Sequence, residues 1–542
     1  MKKLITLLLA VLMVLSLAAC GGNGGDTPNT EVTYKDTFTY AIGGEPYILD
    51  PGYASDSVSA YVVNQTYYPL FYIGEDGSMM NAACESYTVS EDGMVYTLKL
   101  VQNKWSDGVE CTAKDYVYGM KHALSLGGDD SYYSYFIGDY VKNAKAHVTN
   151  QDAVADMDDI GIVAVDDYTI EITLENDCPY FLSFMAAGVF YPLREEYATT
   201  NTYAWAADPT VPTNGAYHYE SIDLASEIVM VKNDYFCNAD QVTTSKLVCK
   251  VMSDQDAQLL AFQAGEIDMA TALNATEVAK VYEGKPELMI SDSVINYYMM
   301  VNAYTSIEPL KDVRVRRALQ LGIDRSAIVT ALDADAVYYE LYGYVPKGFA
   351  GAEGDYREEV DNVQPLVYTD KEAAKALLAE AGYADGFELE YYYNQNAMHD
   401  TVAAVIKAQY AEIGIDVKLK TGEIRTFFAD RNDGLFQICR GAMSADYMDV
   451  TTFLDMALTW TQGTITWGDT DYDNMILATR KMTGTERVAA LHDAEQYMIE
   501  TQCYSIPLFG YKNVTLGKAG LKNAWTNPQA NHIYWYVQCP AD

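Results

Sequence analysis

Lys104-Trp105-Ser106-Asp107-Gly108, followed closely by Thr112-Ala113-Lys114-Asp115-Tyr116-Val117-Tyr118, holds a turn and a helix start in one short stretch. Ser106-Asp107-Gly108 is turn chemistry: the short polar side chains bond nearby backbone, and Gly takes the dihedral angles that other residues avoid. Thr112 with Asp115 three residues later has the spacing of a capping box, which satisfies orphan N–H groups at a helix start. Tyr116, Met120 and Leu124 then recur at helical spacing. Just upstream, Met94-Val95-Tyr96-Thr97-Leu98-Lys99-Leu100 alternates as a half-buried strand does. A strand, a turn and a capped helix in direct succession predict a mixed α/β fold, and Trp105 reads as a structural anchor within it.

The same signals recur on either side. Phe38 to Ile42 reads as a strand running into the Gly43-Gly44-Glu45-Pro46 loop. Thr369 with Glu372 repeats the capping device ahead of a helix over Ala373 to Ala381, which Gly382 should end. A further helix is predicted over Arg487 to Glu500, ahead of a strand at Ile506 to Phe509. No internal repeat of fixed period is evident.

At the N-terminus, Lys2-Lys3 precedes an apolar stretch from Leu4 to Ala19, then Leu17-Ala18-Ala19-Cys20 runs into Gly21-Gly22. A basic start, a hydrophobic run and small residues before a cut are what an export signal requires. About 16 apolar residues fall short of the roughly 20 that span a bilayer. The segment resembles a bacterial lipobox, which implies a signal peptide over 1–19, a lipidated Cys20 as first mature residue, and an extracellular, membrane-anchored body. Residues 20–35 follow as a Gly-, Asn- and Thr-rich tether that cannot bury a core.

With 542 residues, 49% of them hydrophobic, the chain exceeds what one core normally serves, so two or three lobes are expected. A formal charge of −40 repels phosphate backbones and anionic lipid and argues against nucleic acid as a partner. Eight cysteines besides Cys20 would permit disulfides in an exported chain, and buried free thiols remain equally open. No cofactor or metal is expected, for no CxxC or His-Cys cluster has zinc spacing. Asp469-Thr470-Asp471-Tyr472-Asp473 begins like a calcium loop. It fails at Asn474 and Arg480, where Gly and Glu belong, and reads as a turn before a helix. The hydrolase elbow, HExxH helix and phosphate loop are missing, and the six His are scattered, so an enzyme is not expected.

The opening stretch also resembles the signature of the large peptide-binding lipoproteins of bacterial ABC importers, solute-binding protein family 5. Further blocks follow in that family's order: Ala164 to Ile170, Thr213-Asn214-Gly215-Ala216-Tyr217, Asp312 to Leu319 with Ile323-Asp324-Arg325, Tyr342 to Pro346, and Ala376 to Tyr383. The resemblance implies a two-lobed periplasmic-binding-protein-like clamp (type II, large peptide-binder class) with an extra inserted domain, closing on ligand at a hinge. By position, lobe I combines 36–66, 190–295 and 510–542, the inserted domain takes 67–189, and lobe II takes 296–509. The implied function is capture of short peptides for an ABC permease and its ATPase subunits by a monomer. Oligosaccharides, other small solutes or signalling peptides are the alternatives.

The family's ligand stretch matches Arg440-Gly441-Ala442-Met443-Ser444-Ala445-Asp446-Tyr447. By that resemblance Asp446 pairs with the ligand's α-ammonium, and backbone from Gly441 to Ala445 adds the peptide as a strand. Met443 stands where the family usually has Trp, and Val450 replaces a frequent Pro, so the pocket shape is this chain's own. Arg440 is a candidate for a ligand carboxylate, and Ser55 to Val58 fall where the family offers backbone to the ligand. Tyr391-Tyr392-Tyr393, among 46 tyrosines, are candidates for stacking on ligand, although strand and core positions are expected for most.

Overall fold

The computed structural model describes residues 32–125, 131–150, 157–198, 203–304, 307–461 and 468–541; the signal segment, Cys20 and the tether up to residue 31 lie outside them. The chain is already anchored at Lys35, whose ammonium pairs with Asp268 at 2.6 Å, and at Thr33, whose carbonyl accepts from Ala541 N at 2.8 Å.

Among the described residues, eleven strands join in one sheet. Its order is Tyr217–Asp223, Glu227–Lys232, Lys246–Val251, Thr37–Ile42, Met269–Ala270, Ser505–Gly517, Leu288–Val301, Ile438–Ser444, Glu388–Asn394 and Asp416–Gly422, with Tyr338–Glu340 beside Ser505–Gly517. The two long strands run through the whole assembly. Leu288 to Ser291 pair with Leu516 to Asn513, and Ile295 to Met300 with Tyr511 to Ser505, the register shifting between Ser291 and Ile295. There the Ser293 hydroxyl donates to the Tyr511 carbonyl, filling a gap that the ladder leaves.

Among the described residues, three large hydrophobic cores and two small clusters follow. The first joins Phe38, Tyr40 and Ile42 to Tyr96, Leu98, Ile170 and Ile172 of a separate four-stranded sheet, and to Tyr534 and Trp535 near the C-terminus. A second packs Tyr297, Met299, Ile506 and Leu508 against helices Val313–Leu321, Arg325–Leu332 and Ala397–Glu412. The third, holding Val294 and Tyr298, covers the other face with Phe453, Tyr472 and Leu491. No helix among the described residues is long and apolar enough to cross a membrane.

The opening motif folds as read. Asp115 accepts from Thr112 N at 2.6 Å at the start of helix Ala113–Ser125, and Trp105 is buried with the Arg194 guanidinium 5.8 Å above its ring. Helix Lys371–Glu380 is capped one residue later than the Thr369 signal suggests. Asp370 accepts from Ala373 N at 2.9 Å, while the Thr369 hydroxyl is drawn to the Ile323 carbonyl at 2.8 Å. The helix expected over Arg487 to Glu500 is Gly484–Gln496 followed by a π turn, and the short strand after it is the inner part of Ser505–Gly517. Tyr391, Tyr392 and Tyr393 are all buried, so they serve the core and not a ligand surface. Asp469 caps helix Thr470–Thr479, as a turn before a helix should. All eight described cysteines are free thiols.

Candidate functional site

Ile438–Ser444 is flanked by Leu288–Val301 along its whole length, from Ile438 against Val301 to Ser444 against Ile295. On its other side Glu388–Asn394 pairs only as far as Tyr391 with Ile438 and Tyr392 with Cys439. From Arg440 onward that edge has no strand partner among the described residues, and an unpaired edge is a template for a further strand. Side chains alternate about this strand. Ala442 and Ser444 face a cavity of about 730 Å³. Met443 packs into the third core, and a Cβ at Gly441 would meet the Tyr298 ring at 2.4 Å, so both stand on the opposite face.

The cavity lies between two walls. One holds Phe428, Ala442, Ser444, Ala445 and Asp446; the other includes Ser55, Asp56, Asn64, Tyr132, Tyr133 and Trp535. Asp446 stands at the strand's end, its amide donating to Thr452 Oγ1 at 3.0 Å. The Tyr132 hydroxyl donates to Asp446 Oδ2 at 3.1 Å and the Tyr133 hydroxyl to Oδ1 at 3.4 Å, so the walls meet at this carboxylate. No Lys, Arg or His pairs with it among the described residues, and none lines the cavity. Burial pushes its pKa up to about 6, against the two hydroxyl bonds, which act to lower it.

Local sequence sets the facing wall. Asp56 caps helix Ser57–Thr66, accepting from Ser59 N at 2.8 Å, which turns the Ser55 loop toward the cavity. Behind that loop Asp50 accepts from Gly52 N at 2.9 Å and meets His122 Nε2 at 2.9 Å, both side chains being buried. Ser131 Oγ donates to the Gly52 carbonyl at 2.6 Å, tying the Tyr132-Tyr133 turn to the same loop. From the C-terminal segment, Gln529 Nε2 donates to the Ala445 carbonyl at 3.1 Å.

Of the residues singled out from sequence, Asp446, Ala445, Ser444 and Ser55 line the cavity together, whereas Val58 packs into the first core. Arg440 is buried beyond the cavity wall. Its Nε bonds Asn394 Oδ1 at 2.7 Å, and Phe427 and Phe428 lie 5.0 and 5.5 Å from its guanidinium carbon. Tyr132, Tyr133, Gln529 and Trp535 escaped the sequence reading, whereas Asp56 falls within the Ser55 to Val58 stretch and lines the cavity with Ser55. Tyr132-Tyr133 are two among many tyrosines, and nothing local marks residues that reach Asp446 across some 300 positions of chain.

The profile of the bacterial extracellular solute-binding proteins, family 5 Middle, matches residues 78–464. Over 99% of both chains the sequence is 28% identical to the oligopeptide-binding protein OppA of Bacillus subtilis. It is 27% identical to the periplasmic oligopeptide-binding protein OppA of Escherichia coli, over 91% of this chain and 92% of that one. Among solved structures, peptide-bound OppA of Listeria monocytogenes superposes with a TM-score of 0.74 at 23% identity, covering 94% of this chain and 100% of that one, a likeness of fold.

Proposed function

The chain belongs to the bacterial extracellular solute-binding proteins of family 5, and from that premise we propose that it encloses short peptides between its lobes and delivers them to an ABC permease. The observation that carries this reading is Asp446, an enclosed carboxylate without a cation, standing at the end of an unpaired strand edge. A carboxylate taken out of water needs a compensating charge, and a peptide's α-ammonium supplies it through charge-assisted hydrogen bonds worth about 1.5–3 kcal/mol. Along the edge from Arg440 to Ala445, backbone groups of the peptide continue the sheet, which gives affinity independent of side chains. Ser55 and its loop close on the peptide from the other wall. Arg440 answers the ligand's carboxylate only if Phe427 and Phe428 move aside.

The lobes are 36–66, 190–295 and 510–542 against 296–509, with 67–189 as the inserted domain. The register shift between Ser291 and Ile295 is the hinge, because a broken ladder is where a two-strand link bends most easily. Lipidation of Cys20 and the tether that follows it, as far as the bonds that fix Thr33 and Lys35 to the body, hold the protein, a monomer without cofactor, at the outer face of the membrane.

Denaturing mass spectrometry of gently purified protein tests the ligand class: a mixture of short peptides supports the reading, and oligosaccharide in their place refutes it. Asp446→Asn tests the site. It should weaken free-amine peptides roughly ten- to hundredfold while leaving N-acetylated ones within about twofold; equal loss for both removes the assigned role.

A further inference from the structure

Asp446 faces the cavity, whereas the next residue does not line it. Tyr447 is buried in the first core, 4.7 Å from Phe184, 5.6 Å from Phe136 and 5.7 Å from Tyr180, in each case ring to ring. Two arginines of the same wall meet neighbouring rings. Arg487, in the first turn of Gly484–Gln496, is gripped by Asp449 at 2.8 and 2.7 Å and stands 5.0 Å over Tyr180. Arg480, the C-cap of Thr470–Thr479, bonds Asp455 at 3.2 Å and stands 5.6 Å over Tyr140. The Tyr140 and Tyr180 hydroxyls bond each other at 3.2 Å, so the two targets form one unit.

No strand pairing among the described residues joins this ring wall to the segment that holds Asp446. Opening the cavity on this side therefore breaks side-chain contacts alone. A ring packed against rings and flat guanidinium groups held over phenol faces gain most when water is excluded between them, as happens only in the closed arrangement. Asp449 and Asp455 fix the two arginines in their own wall, which leaves their flat faces free for the opposite one.

We propose that Tyr447, Arg480 and Arg487 form a latch that keeps the clamp shut and Asp446 in register, gripping the Phe136, Tyr140, Tyr180 and Phe184 wall without touching ligand. They are positioning residues, and their part in peptide capture rests on the ligand reading given above. Closure itself does not. The latch predicts that residence time depends on residues remote from the ligand, equally for every peptide.

The test uses Tyr447→Leu, which keeps an apolar side chain in the loop; Tyr447→Phe, which keeps the ring; and Arg487→Lys, which keeps the charge for Asp449 but loses the flat face. Small-angle scattering gives the size of the ligand-free protein, and stopped-flow fluorescence gives peptide association and dissociation. Tyr447→Leu is expected to enlarge the ligand-free particle and to speed dissociation at least tenfold, for free-amine and N-acetylated peptides alike, with association within twofold. Arg487→Lys should move both readouts less and in the same direction, and Tyr447→Phe should match wild type. A folded Tyr447→Leu or Arg487→Lys protein with unchanged particle size and dissociation overturns the latch. Should peptides prove not to be the ligand, the ligand-free particle size still decides the latch by itself.

Discussion

Lowering the pH from 7 to 5 should weaken peptide binding about tenfold, and the reason lies in one carboxyl group. Burial raises the Asp446 pKa to about 6, and no basic side chain pairs with it among the described residues to bring it back down. At pH 7 the group is about nine-tenths ionised and at pH 5 about one-tenth, while a peptide α-amino group, with a pKa near 8, stays protonated throughout. Only the carboxylate attracts the ammonium, so the apparent dissociation constant rises by about a factor of ten, or about 1.4 kcal/mol. Because the bound ammonium lowers the Asp446 pKa, binding near pH 6 releases about half a proton. Titration calorimetry in two buffers of different ionisation enthalpy measures both quantities. The ligand-free fold has the opposite sign: a carboxyl whose pKa is raised on folding adds stability below its unfolded pKa near 4, and that contribution is lost as pH rises through about 6. Affinity that changes less than twofold between pH 5 and 7, or an Asp446→Asn protein with the same pH profile, would refute the argument.

Three further outcomes follow from packing. At Gly441, a Cβ would lie 2.4 Å from the Tyr298 ring, so Gly441→Ala should cost about 1–3 kcal/mol by overpacking, read as a lower denaturation midpoint. The Arg357–Glu495 pair is fully buried at 2.8 Å, and Arg357→Met should destabilise by about 3–5 kcal/mol by stranding the carboxylate. Adding Glu495→Gln should recover much of that loss in chemical denaturation, because the amide oxygen still accepts from Tyr344 N and Val345 N. Of the eight described thiols only Cys237 is exposed, and partial burial pushes its pKa up to about 11, so a thiol reagent should label it slowly in the native protein, faster as pH rises, and reach the others only on unfolding, with melting indifferent to reductant.

Local chemistry carried much of the architecture. The Thr112–Asp115 cap and the Asp469 turn depend on residues close in sequence, where spacing translates directly into geometry. The same locality explains the misplaced cap at Thr369. Its hydroxyl is claimed by the Ile323 carbonyl, 46 positions away, a competitor that no window around the helix start contains. The order of the family's motifs singled out Asp446, and the fold places it in the cavity lining.

What surrounds Asp446 was decided by tertiary structure alone. The alternation of Ile438–Ser444 allows two faces, and only the packing of Tyr298 on Gly441 and of Met443 into the third core assigns Ala442 and Ser444 to the cavity. Arg440 looks available in the sequence, yet Asn394 and two phenylalanines enclose it. The Tyr132 and Tyr133 hydroxyls, Gln529 at Ala445 and the rings under Tyr447 all come from distant chain segments. Sequence determines which elements form because caps, turns and alternation act over a few residues. Which carboxylate lies beside which hydroxyl depends on how those elements pack, and that is set by the shapes and volumes of side chains far apart in the chain.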